Sequence, residues 1–94
     1  MARAIWNDVV VAESEDTVII EGNHYFPVDA VDGERIRPSD HRSVCGWKGT
    51  AQYYDLVVDG EVNPAAAWYY ADPLPRAAEV RGRVAFWHGV RVEA

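Results

Sequence analysis

A chain of 94 residues with a formal net charge of −6 suits one domain with a modest core, burying roughly 60–65% of its unfolded surface. The acidic balance argues against a nucleic-acid partner, which needs a basic footprint to displace counterions from phosphates. A single cysteine, Cys45, excludes an internal disulfide, a C-x-x-C pair and a multi-cysteine zinc site.

Taken in chain order, Ile5 to Ala12 is β-branched and apolar without helical period and reads as one strand. After a polar turn at 13–16, Thr17 to Glu21 reads as a second strand that closes a first hairpin. Gly22-Asn23 is a turn signal, since both residues tolerate positive φ. His24 to Val28 is a short strand ended by Pro27, and 29–39 is polar and irregular with one helical turn. Residues 43–58 form the longest β-like region, and Asp59-Gly60 is a strong hairpin signal. Glu61 to Asn63 and Ala65 to Tyr70 continue as strand around Pro64. Pro75 and Gly82 suit the two ends of a short helix. Residues 83–87 and 90–93 read as a last hairpin around His88-Gly89.

These elements predict a mainly β domain of seven or eight short strands: a small curled antiparallel meander, barrel- or sandwich-like, with one short helix near residues 75–81. No apolar run is long enough to span a bilayer, and residues 1–7 carry no signal-peptide stretch. The expected compartment is the cytoplasm, with no membrane partner.

Of nine basic residues, eight are arginine and one is lysine, Lys48. In a chain that uses arginine by default, a lysine marks a place where a compact ammonium with a shiftable pKa is useful. A two-residue turn at Asp59-Gly60 would set Ala51 opposite Trp68, Gly49 opposite Tyr70 and Tyr53 opposite Ala66. The rings would then share one face with small residues. Lys48 lies at the mouth of this ladder, beside Gly49, which allows close approach of a ligand or backbone. A cation–π contact to Trp47, Tyr53 or Trp68 is within reach. Glu21, beside Tyr25, is the candidate partner that would tune the lysine or act as a general base. Cys45 is a candidate nucleophile with His24 or His41 as base, although a strand cysteine is more often a small buried hydrophobe. The three histidines lack metal-ligand spacing, so no metal or cofactor is expected. Trp6 and Trp87 read as core.

Cys45-Gly-Trp-Lys-Gly-Thr-Ala-Gln-Tyr-Tyr, followed by Ala67-Trp-Tyr-Tyr-Ala-Asp-Pro, resembles the signature of the bacterial family called domain of unknown function 427. The likeness extends to Glu21–Pro27, Pro38-Ser39 and Gly82–Phe86. Gly46 departs from it, standing where the family usually has proline. The resemblance implies a compact β fold with these residues around a cleft. The family is sometimes labelled nucleotidyltransferase-like. Nucleotidyl transfer normally needs carboxylates at i, i+2 to hold Mg²⁺. Here such pairs are Glu13/Glu15, Asp32/Glu34 and Asp59/Glu61, all in expected turns, and no glycine-rich phosphate loop precedes a helix.

The functional expectation is a cleft for a small polar or aromatic metabolite. Lys48 and Glu21 would be the catalytic pair, and Tyr25, Cys45, Trp47, Gly49, Tyr53, Trp68 and Tyr70 the binding wall. The rival expectation is a non-enzymatic protein-interaction module using the aromatic strip. Either a monomer or an edge-paired homodimer would fit.

Overall fold

A computed structural model describes all 94 residues. Its nine strands are β1 (Ala2–Trp6), β2 (Val9–Ser14), β3 (Val18–Ile20), β4 (Asn23–Pro27), β5 (Ile36–Cys45), β6 (Gly49–Val58), β7 (Glu61–Tyr69), β8 (Arg83–Phe86) and β9 (Arg91–Glu93). They form two sheets, one ordered β2-β1-β9 and one ordered β3-β4-β8-β7-β6-β5, with every pairing antiparallel. The result is sandwich-like, not a closed barrel.

Alternation along the strands of the large sheet fills two cores, one on each face. Phe26, Leu56, Val84 and Phe86 point toward the small sheet and meet Ala4, Val11 and Ala12. Their neighbours Tyr25, Tyr53 and Ala85 point the other way, with Ala51 and Tyr70, and are covered by Ala77 and Val80. The covering segment, Pro75–Val80, is the expected short helix in place but not in type. It is 3-10 in pitch and kinked at Ala77.

Four strand assignments differ from the sequence reading. Ile5 to Ala12 is not one strand, because Asn7 and Asp8 both take positive φ (51° and 63°) and fold β2 back on β1. β3 pairs with β4 rather than with the first strand, and the turn between them is Glu21-Gly22 rather than Gly22-Asn23. The last two strands are not a hairpin: β8 lies between β4 and β7, whereas β9 joins β1 in the other sheet. The 43–58 region also contains a reversal, at 46–48, which makes β5 and β6 a hairpin.

The Asp59-Gly60 hairpin forms as expected, with Val58 opposite Glu61. The register beyond it does not. Tyr53 faces Trp68, Gln52 faces Tyr69, and Gly49 faces Cys45 across the other hairpin. The cause is a bulge in β7 at Pro64 and Ala65. Proline cannot donate to the ladder, and Ala65 adopts φ 51° with its N–H donating to the Asp55 carboxylate at 2.8 Å. Two extra residues enter β7, so partners change while side-chain parity is kept.

Candidate functional site

Two tight turns bring Lys48 and Glu21 together from 27 positions apart. Glu21 stands on the two-residue turn between β3 and β4, where it and Gly22 both take positive φ. Lys48 closes the reversal between β5 and β6. Its carbonyl accepts from the Leu74 N–H at 2.9 Å, which ties that reversal to the chain leaving β7.

The Lys48 ammonium donates to the Glu21 carboxylate as an ion pair. The lysine side chain is 7% exposed and the glutamate 55% exposed. Nζ also lies 5.2 Å from the Trp47 ring centroid and 5.8 Å from that of Tyr70. Such contacts contribute about 0.5–2 kcal/mol each, more where water is excluded. The expected cation–π partners Tyr53 and Trp68 are not used. Behind the lysine, Tyr25 is fully buried, and its hydroxyl accepts from the Trp68 indole N–H at 3.1 Å.

Lys48, Glu21, Trp47 and Tyr70 thus share one contact cluster, with Tyr25 and Cys45 close enough to act on the lysine charge. Gly49 follows directly. Tyr53 and Trp68 sit further along the same face. Tyr53 shares a hydroxyl bond with Ser43 at 2.8 Å and packs on His41, and both rings contact Trp87. Trp87, read as core, is 41% exposed and stacks on His88. No hydrogen bond joins Cys45 to His24 or His41, since His24 bonds Thr17 and His41 packs against Tyr53. The sequence reading missed Asp72 and Leu74, whose backbone atoms back Gly49 and Lys48; a loop that acts through its main chain leaves no side-chain signal.

The contact favours the ionised form of both partners. The hydrogen bond from Lys48, and then its charge, pull the Glu21 carboxyl below its ordinary value of 4.5. Burial pushes the Lys48 ammonium down, but the bond to Glu21 and the proximity of Tyr25, Tyr70 and Cys45 outweigh it, so the net shift is upward from 10.5. Burial pushes the Tyr70 phenol up to about 12.

A depressed carboxyl pKa contributes stability that is complete above 4.5 and is lost as pH falls through the folded value. A raised ammonium pKa contributes stability that is complete below 10.5 and is lost as pH rises through the folded value. In urea unfolding, the difference between wild type and Glu21→Gln should therefore be constant across neutral pH. It should shrink both in acid below 4.5 and in alkali above 10.5. A difference unchanged into acid would contradict the pairing.

The acidic i, i+2 pairs lie elsewhere. Glu13 pairs with Arg3, Asp32 caps a 3-10 turn through the Glu34 N–H, and Asp59 forms the β6–β7 turn. No three His, Cys, Asp or Glu side chains gather where they could hold a metal ion. No helix is long and apolar enough to cross a membrane.

Fold and site define a class: a small two-sheet β protein with a buried lysine, paired to an exposed carboxylate and walled by aromatic rings. The chain belongs to the family described as Domain of unknown function (DUF427), whose model matches residues 1–94. No curated protein matches the chain significantly.

Proposed function

We propose that the chain binds a small metabolite through a carboxylate or carbonyl oxygen held by the Lys48 ammonium, with Glu21 as a displaceable counter-ion. One observation carries this reading. The Lys48 side chain is buried yet its ammonium donates to a single acceptor, whereas an ammonium has three donors. That lone acceptor stands on an exposed turn at the end of a three-residue strand. An ion pair with so exposed a partner is screened and weak, which makes it easy to exchange. A ligand oxygen entering there would replace the Glu21 contact and lie against Trp47 and Tyr70, with Tyr25 and Cys45 behind. Trp68 and Tyr53 would then act at one remove, by holding Tyr25 and the strand pair in place.

Both pKa shifts favour anchoring over chemistry. A protonated amine does not attack a carbonyl, and a carboxyl held below its ordinary range is a weak base. Electrostatic capture is therefore the best-supported role for the pair.

A thermal-shift series with acetate, pyruvate, succinate and 2-oxoglutarate tests the reading on wild type, Lys48→Met and Glu21→Gln. At least one acid should raise the melting temperature of wild type, raise that of Glu21→Gln more, and leave Lys48→Met unmoved. Equal shifts in Lys48→Met would end the proposal.

A second reading, a protein-docking rim, has its own observation. Val44, Trp47 and Leu74 flank the Lys48 reversal and are exposed. Replacing Val44 and Leu74 by serine, with Trp47 kept, would leave acid binding largely intact if the first reading holds.

A further inference from the structure

The main hollow of the molecule is not at Lys48. It lies where β7 and β8 part company. Their ladder is two pairs long, Ala67 with Phe86 and Trp68 with Ala85. Beyond that point β7 turns away toward Pro73, while β8 stays joined to β4, with the Val28 N–H donating to the Gly82 carbonyl at 2.9 Å. The fork leaves a recess of about 320 Å³ between Tyr69 and Tyr70 on one side and Gly82 to Val84 on the other. That volume sits at the small end of natural ligand sites.

The lining is specific. Val28, Ala71 and Val84 supply aliphatic walls. Tyr54 and Tyr69 stack on each other, with centroids 4.7 Å apart and planes 22° off parallel, and both remain partly exposed. Two arginines line the recess, and they differ. Arg83 is committed, donating to Asp16 and to the Tyr25 carbonyl. Arg81 is not: its side chain is 57% exposed, its carboxylate partner Asp72 lies 3.6 Å away and is 96% exposed, and its bond to the Ala71 carbonyl is long at 3.4 Å. Such a pair contributes little and gives up its arginine readily. The segment 76–83 carries three arginines against one acid, a locally basic stretch in an acidic protein.

We infer that this fork is a second site, for a small aromatic carboxylate whose ring lies along the Tyr54–Tyr69 pair and whose carboxylate is held by Arg81. The planar fork of a guanidinium matches a carboxylate in two parallel hydrogen bonds. An aromatic ring meets two phenol rings at offset or edge geometry and covers apolar surface that is otherwise partly exposed. Lys48 and Glu21 are not among its walls, and Tyr70 alone is shared with the site above, so a ligand in the fork and one at Lys48 are told apart by the other residues that respond.

Titration of ¹⁵N-labelled protein with benzoate tests it, with benzamide as the uncharged control. Saturable shifts are expected at the amides of Tyr69, Ala71, Gly82 and Val84. Losing a charge-assisted bond should weaken benzoate about tenfold in Arg81→Gln. Arg81→Lys should recover part of the loss, and Arg76→Gln, exposed in the same basic stretch but outside the recess, should bind as wild type does. Arg81 is exposed, so these variants are expected to fold. Absence of saturable shifts, equal binding of benzamide, equal binding by Arg81→Gln, or shifts confined to Trp47 and Lys48 would each overturn the inference.

Discussion

Phe26→Ala is expected to cost about 3–5 kcal/mol of folding stability, the range for truncating a fully buried aromatic. Against a total of about 5–15 kcal/mol for a domain, that is a large fraction. Phe26 is fully buried on β4, facing the small sheet, and meets Phe86 edge-to-face at 5.7 Å. Its strand joins the β3 edge to the rest of the large sheet. Removing the ring deletes burial, leaves a cavity between two sheets that cannot both move, and takes away the edge partner of Phe86. Urea unfolding should show a lower midpoint with an unchanged slope. Val28→Ala, two residues on and exposed, should stay within about 0.5 kcal/mol of wild type. A loss under about 1 kcal/mol for Phe26→Ala would mean that the sheets slide to fill the gap.

Legibility followed the range of the interaction. Asp59-Gly60 was readable because glycine announces a left-handed residue, and the turn formed there with φ 50° and 79°. Asn7-Asp8 makes the same kind of turn with no glycine, and its flanks are so apolar that the pattern runs through it. Pairings between distant segments had no local signal at all. Nothing in residues 91–93 says that β9 belongs with β1. The bulge at Pro64 and Ala65 shows a milder failure: proline flagged an irregularity, but only the Asp55 carboxylate, ten residues back, fixes how many residues are inserted. Because that number is two, the rings stayed on the expected face with new partners. Lys48 was readable for a different reason, since a lone lysine among arginines is a compositional anomaly that needs no geometry, whereas Glu21 was reached from its place beside Tyr25 and from the family resemblance. The fork between β7 and β8 was invisible, being a property of where two strands diverge.

The second large effect concerns the backbone beneath the lysine. Gly49 holds φ 114°, a region that side-chain-bearing residues rarely enter, and a Cβ there would stand 3.4 Å from the Asp72 carbonyl oxygen and 3.6 Å from the Leu74 nitrogen. The distances are ordinary contacts, so space is not the obstacle; conformation is. Gly49→Ala should therefore cost about 1–3 kcal/mol. Gly46→Ala is the control, three residues earlier in the same reversal. Gly46 has no positive φ, and a Cβ added there would meet nothing within 4 Å, so its replacement should be near neutral, within about 0.5 kcal/mol. The two variants also separate stability from site geometry. Relaxing the strain at Gly49 means rotating the peptide that carries the Lys48 carbonyl, and with it the 2.9 Å bond to Leu74. The ammonium would then leave the Trp47 and Tyr70 rings, and the Glu21→Gln difference at neutral pH should vanish in a Gly49→Ala background. Equal stability losses in the two glycine variants would show that the left-handed backbone at Gly49 does not hold the lysine in place.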